Sequence, residues 1–152
     1  MTHEPNYCTS HVDRVFRTDL VAKLIPAACR ELKRMEAAGL RIDAIAFRGM
    51  SGCLFGAPLA ARMRKPMIMV RKKCADCGRE QSHTNQLVEG DRNAKTYVIV
   101  DDFIATGNTV RTIQAAITEW SQAVCVGVMA ADVAKDKRGS YVLKTVRDRN
   151  VI

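Results

Sequence analysis

Two adjacent carboxylates, Asp101 and Asp102, follow the apolar run Tyr97-Val98-Ile99-Val100, and Ala105-Thr106-Gly107-Asn108-Thr109 lies just beyond them. The β-branched run has the character of a buried strand. Past the small residues, Val110, Ile113, Ala116, Ile117 and Trp120 recur at helical spacing. A strand, an acidic end, a short loop and a helix therefore succeed one another. Such a loop leaves backbone N–H groups unpaired at the positive end of the helix, where a phosphate is well received. Gly107 permits close backbone approach, and the hydroxyls of Thr106 and Thr109 add donors. Two carboxylates beside a phosphate cup would repel a bare phosphate. They suit a ligand with a phosphate at one end and hydroxyls or a cation at the other, as in a sugar phosphate with a bound metal. A merely capped turn also uses Asp, Thr and Gly, but two acids and two threonines exceed what capping needs.

Two further segments carry chemistry. Arg48-Gly49-Met50-Ser51-Gly52 follows the apolar stretch Ile42 to Phe47 and precedes Cys53-Leu54-Phe55-Gly56-Ala57-Pro58-Leu59-Ala60. Its two glycines and serine can bend the backbone into an anion nest. Pro66-Met67-Ile68-Met69-Val70 runs into Arg71-Lys72-Lys73, and Cys74-Ala75-Asp76-Cys77-Gly78 comes next. Cys74 and Cys77 have the spacing of half a zinc site, but no second Cys-x-x-Cys follows and only His83 is near. A redox pair with thiolates favoured by Lys72 and Lys73, or two unreactive surface thiols, are the other readings of that pair.

The run from Tyr97 to Thr109 resembles the signature of the type I phosphoribosyltransferases: four apolar residues, two acids, two apolar residues and Ala-Thr-Gly-x-Thr. The resemblance implies that Asp101 and Asp102 hold the ribose hydroxyls of phosphoribosyl pyrophosphate (PRPP) and its Mg2+. It implies that Ala105, Thr106, Gly107, Asn108 and Thr109 wrap the 5′-phosphate. Arg48, Gly49, Met50, Ser51 and Gly52 occupy the place of the family's pyrophosphate loop, and Arg71 with Lys72 and Lys73 the root of its catalytic loop. Leu54-Phe55-Gly56-x-x-Leu59-Ala60 looks like the adenine enzymes in particular. Ser51 departs from that pattern, since many adenine enzymes have arginine there, and the arginine of this chain lies three positions earlier at Arg48.

The implied reaction joins a nucleobase to PRPP and releases pyrophosphate. Charge develops on the ribose and on the leaving group, so positioning and electrostatics do the work and no protein nucleophile is needed. Lys72 and Lys73 are placed to neutralise the pyrophosphate, with Arg79 and His83 as later loop candidates, and Mg2+ needs few carboxylates beyond substrate oxygens. Hypoxanthine–guanine enzymes of the family carry an aspartate just before Thr-Gly. Ala105 stands there in this chain, which fits the adenine and orotate branches. Adenine or a related purine is the expected acceptor. An orotate-type transferase and a non-catalytic PRPP-binding regulator remain alternatives, as does a small zinc-dependent interaction protein centred on Cys74 and Cys77.

Positioning these groups requires a frame. From Thr18, a candidate N-cap, Asp19 to Ala38 shows helical periodicity, with Pro26 expected to kink or divide the helix and Gly39 to stop it. Ile42 to Phe47 reads as a strand, Cys53 to Met63 as a helix and Pro66 to Val70 as a strand. The Tyr97 strand, the Asn108 to Trp120 helix, an Ala123 to Ala131 strand and a Tyr141 to Val146 strand follow. Residues 1–17 read as an arm, and 72–95 as a long polar mobile loop. The alternation predicts an α/β fold, a doubly wound, mostly parallel sheet flanked by helices, in one domain over residues 1–152. Loops at the carboxyl ends of the strands would then converge on one ligand crevice.

The chain of 152 residues is 47% hydrophobic, enough for a real core, and carries a net charge of +8, which attracts anions. No apolar run reaches bilayer-spanning length and no secretory layout opens the chain, so a cytoplasmic protein without membrane contact is expected. Of the six cysteines, Cys29, Cys53 and Cys125 lie in apolar patterns and read as reduced core residues. Nucleic acid is an admissible partner of so basic a chain but not the favoured one, since no nucleic-acid-binding module is legible. The family resemblance implies a homodimer.

Overall fold

Tyr97, Val98, Ile99, Val100 and Asp101 are all buried, so the strand that holds them must be covered on both faces. The computed structural model describes residues 17–72, 86–101, 107–135 and 141–146, and supplies that cover. In chain order the elements are α1 (Thr18–Ala37), β1 (Ala44–Arg48), α2 (Gly49–Met63), β2 (Met67–Val70), β3 (Val88–Gly90), β4 (Thr96–Asp101), α3 (Asn108–Ser121), β5 (Val124–Lys135) and β6 (Tyr141–Val146). They form a six-stranded sheet in the order β3-β2-β1-β4-β5-β6. β1 pairs in parallel with β2 and β4, and β4 with β5, while β3 and β6 are antiparallel edges. The expected doubly wound, mostly parallel arrangement is what the chain adopts.

Alternate residues of the strands face different helices. Ile45, Val98, Val100 and Met129 pack with Leu24, Leu32 and Met35 of α1 and Phe55 and Leu59 of α2. Ala46, Ile68, Tyr97, Ile99 and Val128 pack with Val110, Ile113 and Ile117 of α3. Each large aliphatic side chain removed from water in this way contributes about 1.5–3 kcal/mol. Two glycines bring α2 unusually near the sheet. A Cβ at Gly52 would stand 3.2 Å from Phe47 Cβ, and one at Gly56 would overlap the Phe47 ring.

Several boundaries differ from the sequence reading. The helix expected from Cys53 begins at Gly49, so the glycine-rich stretch forms its first turn. α1 is one element across Pro26, and Arg17 rather than Thr18 is its N-cap. Pro26 is exposed, so the helix face that loses a hydrogen bond is not the one packed on the core. The stretch assigned to a loop contains β3, whose Gly90 (φ +138°) crosses so close to the Met67 carbonyl that a side chain has no room. β5 runs to Lys135, beyond the expected Ala131. Cys125 is buried as expected, whereas Cys29 and Cys53 are only half-buried. The N-terminal arm at residues 1–16 lies outside the described residues.

At the amino edge of the sheet, Asp43 accepts hydrogen bonds from Lys95 N–H (2.9 Å) and Thr96 N–H (3.1 Å), tying the lead-in of β1 to the start of β4. Arg41 Nε, at 2.6 Å, and then the Lys95 N–H hold its carboxyl down at about 2 against some opposing desolvation, with Thr96 N–H adding to the effect.

Two outcomes follow from this packing. Gly56→Val should lower stability by roughly 1–3 kcal/mol through overpacking against Phe47. Gly127→Ala, which meets chiefly the flexible end of Met35, should cost under about 1 kcal/mol. Urea midpoints of the two variants check the contrast. The folded pKa of Asp43 lies below its unfolded value of 3.8, so its contribution is complete above about pH 4 and is lost as pH falls towards 2. Asp43→Asn should flatten the stability profile over that acid window, read by denaturant melts at stepped pH.

Candidate functional site

The chain leaves β1 for β2 on one side and later returns to β4 on the other, so the strand order reverses between β1 and β4. Such a switch point opens a crevice beyond the carboxyl ends of its strands. Ala46 pairs with Ile99, and continuing the register by two residues brings Arg48 level with Asp101. Arg48 is also directly paired with Val70, the residue before Arg71. Residues far apart in sequence therefore meet along one edge.

At β1 the chain turns straight into a helix. Gly49, with φ +64°, is its first residue, and no side chain caps this end. The amides of Gly49, Met50, Ser51 and Gly52 belong to the first turn, where intrahelical acceptors are lacking. Gly52 lies 3.7 Å, measured from where its Cβ would be, from the Val100 carbonyl, so this end of α2 leans over β4 as well as β1. The turn holds no acidic residue to offset the helix dipole.

Cations gather around it. The stem of Lys72 lies against Gly49, where a Cβ would stand 2.8 Å from Lys72 Cε. Among the described residues, Arg48 Nε and Arg71 Nε are buried side-chain nitrogens with no hydrogen-bond partner. Arg71 Nη2 donates to Glu89 Oε1 at 2.8 Å. Arg48 and Lys72 beside the positive end of a helix repel one another and the dipole, and a polyanion placed between them relieves that repulsion. Across the crevice, Asp101 is buried at 4% exposure. Beyond it, Gly107 (φ +75°) precedes α3, whose start again has neither a side-chain cap nor an acid in its first turn. Asn108 Oδ1 accepts from Arg111 Nη2 at 2.6 Å, which turns that side chain along the helix.

Of the residues singled out in the sequence, the structure thus brings together Arg48, Gly49, Met50, Ser51, Gly52, Arg71 and Lys72, and places Asp101, Gly107, Asn108 and Thr109 on the neighbouring strand-to-helix connection. Met50 points outward at 67% exposure, so only its backbone can serve an anion at this turn. Lys73, Cys74, Cys77, Arg79, His83, Asp102, Ala105 and Thr106 lie outside the described residues. Among the described residues, no group of three or more His, Cys, Asp or Glu side chains could hold a metal. Glu89 escaped the sequence reading, because a three-residue strand leaves no periodic trace in a polar stretch.

The Phosphoribosyl transferase domain family matches residues 20–147. The chain belongs to this family. Among relatives of this phosphoribosyl transferase domain, the adenine phosphoribosyltransferase of Mycoplasmopsis agalactiae is 35% identical over 88 residues, covering 51% of this chain and 52% of the relative. That of Prochlorococcus marinus is 31% identical over 111 residues, covering 66% and 57%. The chain therefore spans little more than half the length of these curated relatives. The structure of Saccharomyces cerevisiae adenine phosphoribosyltransferase, complexed with an imino-altritol bisphosphate and adenine, is similar with a TM-score of 0.51 and 29% identity, covering 75% of this chain and 69% of that one. No helix among the described residues is long and apolar enough to cross a membrane.

The Gly49 backbone is the point where helix start, cation and anion would meet. Gly49→Ala should weaken binding of magnesium pyrophosphate about tenfold, or ~1.4 kcal/mol. Gly39→Ala is the control: φ is +90° there too, but nothing lies within 4 Å and the site is remote. Both variants bear the strain of a positive φ, and only Gly49→Ala should lose affinity in calorimetric titrations.

Proposed function

We propose that this domain transfers the phosphoribosyl group of PRPP to adenine or a related purine, with release of pyrophosphate. The observation that carries the proposal is the uncapped start of α2 with Arg48 before it and Lys72 against Gly49, Arg71 preceding Lys72 in the chain, beside a strand that ends in the buried Asp101 and a second uncapped helix start after Gly107. PRPP has anionic groups at both ends and hydroxyls between them, which matches that order of charges. The adenine enzymes among the relatives support the choice of base.

In this reading the amides of residues 49–52 and the Arg48 guanidinium receive the pyrophosphate. Arg71, Lys72 and Lys73 neutralise it as it departs. Residues 105–109 take the 5′-phosphate on the amides leading into α3. The bond from ribose C1 to the pyrophosphate oxygen breaks with its electron pair leaving on pyrophosphate, the base nitrogen bonds to C1, and the base gives up its ring N–H proton to solvent. Cations that bind the leaving group more tightly as its charge grows lower the barrier. The donor set fits Mg2+, which uses few carboxylates and keeps substrate oxygens as ligands, so Asp101 and Asp102 would hold it through PRPP. When bound, the ion would supply charge neutralisation of the pyrophosphate.

A homodimer and a cytoplasmic setting accompany this reading, as do a single domain over residues 1–152 and no membrane partner.

Incubation with PRPP, magnesium and adenine, hypoxanthine, guanine, orotate or uracil, followed by mass spectrometry, tests the assignment. Adenosine monophosphate is the expected product. Orotidine monophosphate would establish the orotate-type alternative, and PRPP binding without any product the regulatory one. In the same series, Asp101→Asn with Asp102→Asn should weaken binding of the PRPP–magnesium complex; unchanged affinity would sink the assignment of the site.

A further inference from the structure

Glu89 has no role in the site so far, yet it holds one of the site's cations. It stands on β3 opposite Met69 of β2, and its Oε1 accepts from Arg71 Nη2 at 2.8 Å. The main chain is tied at the same place, since Arg71 N–H donates to the Leu87 carbonyl at 2.9 Å. Arg71 is the first residue past β2, and Lys72, next in the chain, crosses Gly49. The carboxylate thus grips the chain at the point where it leaves the sheet for the start of α2.

A stabilising role alone explains little of this. The two side chains are 39% and 29% exposed, and a pair so open to water contributes ~1 kcal/mol at most. What the pair does fix is direction. With Nη2 held by Glu89, the planar guanidinium cannot rotate freely, and its Nε, buried and unpartnered among the described residues, keeps a set orientation. We propose that Glu89 is a positioning residue: by holding Arg71 it aims the remaining Arg71 donors, and Lys72 after them, at the anion received by the start of α2. This rests on the reading of that site as a pyrophosphate site.

The sign of the effect separates positioning from simple electrostatics. A carboxylate near an anion site weakens anion binding by repulsion, so its removal through Glu89→Gln would tighten binding if charge were all that mattered. Positioning predicts the reverse: roughly fivefold weaker binding of magnesium pyrophosphate, and a larger fall in kcat than in substrate affinity, because the aimed cations matter most as the leaving group gains charge. Glu89→Asp keeps the charge but shortens the reach, and should also weaken binding. In a double-mutant cycle, Glu89→Gln should add little to the loss caused by Arg71→Lys. Calorimetry with magnesium pyrophosphate, steady-state kinetics and thermal melts on the wild type, the three single variants and the double variant form the test. Affinity equal to or above wild type in both Glu89 variants, or additive losses in the cycle, would overturn the proposal. Wild-type protein that binds neither pyrophosphate nor PRPP would overturn the functional reading and this inference together; wild-type binding that the Glu89 changes leave untouched would overturn this inference alone.

Discussion

The seat of α2 on Phe47 decides where the first turn of that helix can lie. Gly52 and Gly56 present bare backbone to that ring, and any side chain at Gly56 would overlap it. The helix can therefore lie close on β1 and lean towards β4, which carries its first amides over the ends of both strands. A helix held off by a larger residue would direct its positive end away from the switch point. The chain turns from strand to helix between Arg48 and Gly49 without an intervening loop, and the left-handed Gly49 makes that turn feasible. Lys72 can cross so near only because Gly49 has no side chain.

The two edges of the sheet are treated differently. At the amino edge, donors find acceptors. Asp43 takes two backbone N–H groups, and Lys65 Nζ donates to Glu36 at 2.6 Å and to the Ile42 carbonyl at 2.7 Å. Arg92 donates to the Trp120 carbonyl while stacking over its indole. At the carboxyl edge, two helices start without side-chain caps and two arginine nitrogens lie buried without partners among the described residues. Each such donor costs about 1–3 kcal/mol, an appreciable share of the 5–15 kcal/mol that holds a typical domain together. Among the described residues, the two buried arginine nitrogens left without partners suit an anionic ligand.

The parts legible in the sequence were those where one physical signal dominated. β4 is a fully buried strand, so its apolar run stood out; α3 and α1 carry one apolar stripe each, so their periods stood out. The start of α2 did not. Gly49-Met50-Ser51-Gly52 has the composition of a loop, and it is helical because Gly52 and Gly56 must approach Phe47, a tertiary contact with no local trace. β3 is short, and it is a strand because β2 offers a free edge to pair with. Glu89 acquires its meaning from Arg71 eighteen residues earlier, a distance that only the antiparallel turn-back closes. Asp101 at the end of β4 and Gly107 before α3 stand where the local sequence put a strand end and a helix start, while residues 102–106 between them lie outside the described residues.

The pairing of β1 with β4 runs to Ala46 and Ile99, so Arg48 and Asp101 lie two residues beyond it, at the ends of strands spaced about 4.8 Å where they pair. Here Arg48 turns its Nε into a buried position without a partner among the described residues, and Asp101 is buried on its own strand. The packing of α2 over β1 and of the β4 core thus sets a guanidinium nitrogen and a carboxylate at the ends of neighbouring strands. A ligand that spans them must carry both kinds of group within a few ångströms, anionic oxygens for one and hydroxyls or a bound cation for the other. Neither a simple phosphate nor a plain sugar meets that condition. A phosphorylated sugar activated as its pyrophosphate meets it, which is the physical reason for proposing that ligand rather than either simpler one.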